Sequence, residues 1–282
     1  MRVCDPVRSV QRAGACALIL AAAALAPPGV EGMDLNGFLR ARGEGDVALT
    51  WVDESYDRFW AGTTKVEEPA LGEVSTTTFS LWAAYGLLPN LTLFANLPYV
   101  DVEGDGFAGL SDSGLQDLSV VAAYRVATVG HSDFVAAGGV RTPVSDYEGD
   151  APVSLGDDTT DVLLRFVHLW RTGSFYWSQQ VGYDVRSDDA PDGFPLYTEL
   201  GWTVGRTTLS AYYSYLIADG GTDIGDPGFT FPSNQEEYQR AGAKAYIRAS
   251  DRFGVSVGGF STLDGRNTGD ASGLWLGIVA RY

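Results

Sequence analysis

Thiols are almost missing from this chain. Its only cysteines, Cys4 and Cys16, lie in the N-terminal stretch, so the remainder can form neither a disulfide nor a cysteine-ligated metal site. Histidine is as scarce, with His131 and His168 alone. Bases are outnumbered, 19 Lys and Arg against 36 Asp and Glu, for a formal charge of −17. Such an acidic surface argues against nucleic acid as a partner. Past the N-terminus no apolar run approaches the roughly 18–20 residues that a spanning helix requires, so any membrane insertion must use strands.

What the chain does have begins with a leader. Arg2, Arg8 and Arg12 precede an apolar run from Ala13 to Ala26, which Pro27-Pro28 stops. That length suits a secretory signal core and is too short to cross a bilayer. Val30 and Gly32 place small residues where a signal peptidase reads, so cleavage is expected after Gly32, or a few residues earlier. Cys16 falls ahead of the apolar core's end, which does not fit a lipoprotein anchor. Residues 1–32 therefore read as signal peptide, 33–45 as a periplasmic segment or lumen plug, and 46–282 as a transmembrane β-barrel.

The C-terminus carries the strongest architectural signal. Leu274, Leu276, Ile278, Ala280 and Tyr282 fall on one side of a strand, and Gly273, Trp275, Gly277, Val279 and Arg281 on the other. Outer-membrane barrels turn such an apolar face to lipid, with a terminal aromatic at the periplasmic interface. A strand ending this way at Tyr282 is also what barrel-assembly machinery would engage.

Upstream, eleven more alternating segments are separated by connections that switch between short and long. The expected strands are Asp46–Asp53, Glu73–Tyr85, Leu91–Asp101, Leu115–Val126, Asp133–Val144, Thr159–Arg171, Ser174–Arg186, Pro195–Val204, Thr207–Asp219, Glu236–Ala249, Phe253–Leu263 and Ala271–Tyr282. Short periplasmic turns and long, acidic extracellular loops are the asymmetry of transmembrane barrels. The fold class is therefore all-β: an antiparallel up-and-down barrel of about 12 strands. A soluble sandwich would alternate too, but the aromatics discriminate. Tyr85, Tyr124, Phe134, Trp170, Phe175, Trp177, Trp202, Phe253 and Tyr282 share the outward face near the short-turn end. Tyr99, Tyr183 and Tyr215 lie outward higher up. Interfacial girdles predict this arrangement.

Several segments resemble one family, the outer-membrane proteins grouped as meta-pathway phenol-degradation transporters, distantly similar to FadL-type channels. The resemblance runs from about Phe79 to Tyr183, with a weaker echo at Asp53–Gly62. It rests on Ala84-Tyr85-Gly86-Leu87, Leu97-Pro98-Tyr99-Val100, Gly114-Leu115-Gln116-Asp117-Leu118 and Ala123-Tyr124-Arg125. Gln116 departs from the family's usual Gly-Leu-Gly-Asp. Arg141-Thr142-Pro143 and Ser154-Leu155-Gly156-Asp157 match other family segments imperfectly. These are turn and strand-end motifs. The resemblance implies a barrel that takes up small, often hydrophobic molecules passively, and it transfers no site residue.

Candidate chemistry is sparse. His131-Ser132-Asp133 contains the residue types of a triad, but neighbours on a turn cannot converge. His168 shares parity with Val162, Leu164, Phe166 and Trp170, so it points outward as a headgroup-level hydrogen bonder. Catalytic residues and cofactors are not expected. The acidic runs Asp157-Asp158 with Asp161, Asp188-Asp189 with Asp192, and Asp223 with Asp226 match no fixed-spacing metal loop. They read as solvated loop charges, with divalent bridging to lipopolysaccharide as the sharper reading.

The interior is more telling. Parity and height place Arg165, Gln180, Glu199, Tyr212 and Lys244 inward near mid-barrel, with Arg125, Arg141, Arg186, Arg240 and Arg248 inward above or below. Ionisable groups at membrane depth line a water path or pair with one another. One reading is a constriction selecting polar or anionic solutes. The other is an Arg165–Glu199–Lys244 network filling a narrow barrel. The segment Met33–Gly45 either plugs the lumen or hangs in the periplasm. The expected function is an outer-membrane channel of a Gram-negative bacterium for small solutes, with an aromatic acid suiting both the resemblance and the inward cations. The alternative is a sealed adhesive barrel that binds an external partner through its acidic loops. Lipid, lipopolysaccharide and a small solute complete the expected partners.

Overall fold

Along the last strand, β15 (Ser272–Arg281), Leu274, Leu276 and Ile278 stand more than 45% exposed while Trp275 and Val279 between them are buried. Large apolar side chains likewise face outward along the other long strands, while the inward positions mix buried apolar and polar groups. A computed structural model describes residues 33–67, 72–106, 110–149, 151 and 153–282; the leader and both cysteines lie outside the described residues.

Strand β1 (Gly45–Tyr56) pairs antiparallel with β15 on one side and with β4 (Val74–Leu88) on the other. From β4 each strand pairs with the next: β5 (Leu91–Gly104), β6 and β7 (Ser111–Leu115, Asp117–Val129), β8 (Ser132–Pro143), β9 (Asp161–Thr172), β10 (Phe175–Arg186), β11 (Asp192–Val204), β12 (Thr207–Asp219), β13 (Glu237–Arg248), β14 (Phe253–Arg266) and β15. The sheet thus closes on itself. Counting β6 and β7 as one strand kinked at Gln116, the barrel has twelve strands. At the seam, Gly45 and Tyr282 exchange both backbone hydrogen bonds at 3.0 Å. Tyr282 also stacks on Tyr85, with ring centroids 6.3 Å apart.

All twelve expected strands are present, and half of them run longer than periodicity indicated. Those entering the short turns extend to Leu88 and Val129, leaving two-residue connections. Gly130, Gly173 and Gly205 open three of these turns with φ of 60°, 56° and 61°. Only glycine takes that conformation freely, and two-residue hairpins demand it. Unforeseen was the small hairpin of β2 (Phe59–Ala61) and β3 (Thr64–Val66) in the loop after β1. It is polar at its tip and too short to show a period.

The outward aromatics form the expected girdle: Tyr85, Tyr124, Phe175, Trp177, Trp202, Phe253 and Tyr282 are all exposed near the short turns. Trp51, Phe79, Phe166 and Phe194 also face outward. The membrane normally covers these surfaces. Replacing outward Leu164, which is 47% exposed at mid-height on β9, by Arg should destabilise the folded barrel in phospholipid vesicles by about 2–4 kcal/mol. Urea titration of vesicle-inserted protein checks this, and an unchanged midpoint would contradict the placement of that face in lipid.

At the long-loop end, one buried side chain ties three loops together. Asn267 accepts from the Gly62 amide at 2.7 Å and the Ile224 amide at 3.0 Å, and donates to the Gln235 carbonyl at 2.8 Å and Asp223 at 2.9 Å. Its φ of 51° suits Asn better than a β-branched residue. Beside it, Arg266 grips Asp223 through two hydrogen bonds of 2.7 and 2.8 Å. These hold the Asp223 carboxyl below the usual carboxylate range. Asn267→Ala strands several buried groups, at on the order of 1–3 kcal/mol each. Limited proteolysis should then cut the 220–236 loop faster while the barrel itself stays resistant; equal cleavage of both proteins would remove Asn267 as the tie.

Candidate functional site

Residues 33–44 do not hang below the barrel. The segment enters the lumen from the short-turn rim, where the Gly43 amide donates to the Gly86 carbonyl at 2.8 Å and Gly86 returns a bond to Glu44 at 2.9 Å. Any Cβ at Gly86 would collide with the Ala41 carbonyl, so glycine is what lets the segment lie against the wall. Higher up, the Arg40 amide donates to Thr92 Oγ1 at 2.9 Å, and the Arg40 side chain is ion-paired with Asp46. Phe38 packs edge-on against Tyr176, and Gly37 lies so close to β9 that a Cβ would sit 2.9 Å from that of Leu169. The segment then reaches mid-barrel, where Gln180 accepts from the Leu35 amide at 2.7 Å and donates to Asp34 at 3.0 Å. Met33 and Leu35 join a buried cluster with Ala48, Trp82, Phe94, Val121, Val135, Leu163 and Val167. The lower lumen is therefore filled by residues 33–44.

The inward charges are arranged in pairs. Arg165, 4% exposed, is held bidentate by Asp184 rather than by Glu199. The expected three-member network thus splits in two. Glu199, fully buried, takes Lys244 at 2.9 Å, the Tyr197 hydroxyl at 2.7 Å and the Tyr176 hydroxyl. Tyr212 stacks on Tyr197 at 5.7 Å, and Lys244 lies over both rings. Space for these large groups comes from glycines opposite them. A Cβ at Gly182 would strike Arg165, and one at Gly201 would strike the Tyr176 ring.

Arg125, Arg141, Arg186, Arg240 and Arg281 are also engaged. Arg141 pairs with Asp161, Arg186 with Asp157, Arg125 with Asp133 at 3.5 Å, and Arg281 with Asp46 at 2.9 Å. Arg240 lies over the Tyr238 ring at 4.3 Å and the Phe260 ring at 5.3 Å. The cations were legible from parity. Their carboxylate partners share that parity, and spacing along one strand does not reveal which neighbour a long side chain will choose.

Above the segment, toward the long loops, the lumen opens into a cavity of about 560 Å³. One wall is apolar, with Tyr56, Val74, Val100, Val102, Val153 and Leu155. The floor is Met33, Asp34, Trp82 and Asn96. Seven carboxylates line it (Asp34, Glu54, Asp117, Asp157, Asp184, Asp192 and Glu236) against three guanidiniums, Arg141, Arg186 and Arg240. Of the residues expected along a pore, only Arg141, Arg186 and Arg240 reach this cavity. Arg165, Gln180, Glu199, Tyr212 and Lys244 sit beside or below its floor, packed against the plug and one another.

Other candidates lie elsewhere. His168 Nε2 is 2.9 Å from Ser132 Oγ, and Nδ1 is 3.2 Å from Gln179, all on the outer face with Phe134 stacked on the imidazole at 5.0 Å. Gln179 is neutral, so it orients the ring without offsetting an imidazolium charge. The group belongs to the lower aromatic girdle. Among the described residues, no three His, Cys, Asp or Glu side chains converge to hold a metal ion. Two of the acidic runs supply ion-pair partners instead, Asp161 for Arg141, Asp157 for Arg186 and Asp223 for Arg266.

Comparison with known proteins fits this architecture. The structure resembles that of an outer-membrane channel from Pseudomonas putida F1, with a TM-score of 0.73 over 92% of this chain and all of that one, at 17% identity. The NanC porin (TM-score 0.51, 8% identity, 82% of this chain and 98% of that one) and the NalP autotransporter translocator domain of Neisseria meningitidis (0.50, 12% identity, 86% and 90%) are more distant. At such identities the likeness is one of fold. No curated protein sequence matches the chain. Residues 53–278 match the family model described as "MetA-pathway of phenol degradation", and the chain belongs to that family.

Proposed function

We propose that this protein is a passive outer-membrane channel whose solutes are small, partly apolar, and neutral or cationic. The observation that carries the reading is the cavity on the loop side of the lumen: about 560 Å³, apolar on one wall, acidic on balance, and floored by a segment outside the barrel ladder. That volume suits a small organic molecule. A greasy wall facing polar groups fits an aromatic or similar amphipathic compound, in keeping with the family description. An acidic vestibule focuses cations and repels anions.

The carboxylate-bearing aromatics that inward Arg and Lys first suggested fit less well, because those cations are already held by Asp and Glu. A solute anion would have to displace Asp184 from Arg165 or Glu199 from Lys244, leaving a buried carboxylate uncompensated. On export the leader is removed at or near Gly32, and the barrel lies among lipid and lipopolysaccharide.

Segment 33–44 closes the lower lumen through side chains and a few backbone bonds, so it can move without opening the wall. A sealed adhesive barrel is the competing reading, favoured by that filled lower half. Planar-bilayer recording separates the two. A potassium chloride gradient should give a reversal potential of the sign for cation preference; anion preference would overturn the electrostatic reading, and no conductance would favour the sealed barrel. Deleting residues 34–42 should raise unitary conductance several-fold with the barrel still resistant to detergent at room temperature. Unchanged conductance from a folded deletion protein would rule out the segment as the restriction.

A further inference from the structure

The direction of the inner segment has a chemical consequence. From Gly43 at the short-turn rim the chain climbs backward through Arg40 and Phe38 to Leu35 and Asp34 at Gln180, half-way up β10. Met33 lies in the cavity floor. In a chain that begins at Met33, the α-amino group therefore lies at the vestibule floor. The cavity of about 560 Å³ accommodates a drug-sized molecule. Val30 and Gly32 supply the small residues that a signal peptidase requires immediately before Met33. Hydrolysis of the Gly32–Met33 peptide bond consumes one water, leaving a carboxylate on Gly32 and a free α-amine on Met33.

We propose that this α-amino group is a working charge of the channel, an ammonium fixed in the vestibule floor that weakens the pull of the surrounding carboxylates on cations. The inference rests on the channel reading given above. An α-amine ionises near pH ~8, so its charge is present at neutrality and lost in mild alkali.

The charged groups around that floor come from several elements. Asp34 neighbours it on the same segment. Glu54 on β1, Asp184 on β10 and Arg240 on β13 line the cavity, while Arg165 on β9 and Lys244 on β13 stand behind, held by Asp184 and Glu199. The walls of β4 and β5 offer the uncharged Trp82 and Asn96. Neither histidine competes, since His131 is in a periplasmic turn and His168 is on the outer face. Removing one positive charge from a vestibule that already holds more acids than bases strengthens cation preference. Selectivity for potassium over chloride should therefore rise with pH through the amine's ionisation.

The test uses protein exported to the outer membrane and purified in detergent. Intact mass and N-terminal sequencing should give Met33 as the first residue; a start many residues earlier overturns the proposal and leaves the channel reading standing. A Met33→Gln variant then removes the charge, because an N-terminal glutamine cyclises as its α-amine displaces ammonia from the side-chain amide. Met33→Leu keeps the ammonium, and Asp34→Asn reports the adjacent carboxyl. In bilayers, native protein and Met33→Leu should show at least a twofold rise in the potassium-to-chloride permeability ratio between pH 6.5 and 9. Cyclised Met33→Gln should start high and stay flat, and Asp34→Asn should retain the rise. If cyclised and native proteins behave alike at both pH values, the amine has no such role even though the pore conducts. If neither conducts, the channel reading and the inference fall together.

Discussion

Hydrocarbon offers no hydrogen bonds, and this decides nearly everything else in the molecule. A sheet in lipid has to satisfy every backbone N–H and C=O internally, so it must close. Here closure is made by β1, which pairs in register with β15 from Asp46↔Arg281 to Ser55↔Ser272 and with β4 from Gly45↔Tyr85 to Tyr56↔Val74. Once the ring is shut, strand parity sorts side chains without further choice. Leu274, Leu276 and Ile278 meet lipid because Trp275 and Val279 meet the lumen. One slip of register would turn an entire strand's polar set toward hydrocarbon.

The lumen then inherits the opposite problem. Twelve strands enclose more room than their own side chains can fill, as eight would, yet the polar groups directed inward cannot all be left solvated in a narrow space. Two solutions share the volume. The lower half receives residues 33–44, whose Met33 and Leu35 complete an apolar cluster with Trp82, Phe94 and Leu163. The upper half stays open as a cavity and settles its charges by pairing. Buried pairs such as Arg165–Asp184 and Lys244–Glu199 contribute little net stability, since desolvation offsets attraction. They do fix the positions of long side chains against the wall, and that fixes the shape of the cavity above them.

The barrel was legible in the sequence because its signals are periodic and repeated: alternation in β9 and β10, aromatics at matched heights, turns that switch between short and long. Sites of exception were not. Gln116 divides one strand into β6 and β7, and no local pattern marks that kink. The inward position of Arg165 followed from parity, but its choice of Asp184 over Glu199 depends on which neighbouring strand leaves space, which is Gly182 on β10. Residues 33–44 carry no strand period. Their fit depends on Gly37 and Gly86, each small for the sake of a contact distant in sequence.

A segment that plugs a channel is useful only if its hold is intermediate. Bound through a full ladder it would be a thirteenth strand and could not leave. Held only by burial of Met33, Leu35 and Phe38, it would have no defined position, because apolar contact is non-directional. The arrangement here lies between these limits. Two polar anchors, Gln180 with Asp34 and the Leu35 amide at the top and Asp46 with Arg40 at the bottom, set its register. The stretch between them rests on apolar packing and loose turns. Both anchors connect to the wall's charge pairs, Asp46 being shared with Arg281 and Gln180 lying one strand from Arg165. An apolar solute pressing on the floor would thus compete with packing first, and with charge only at the two ends.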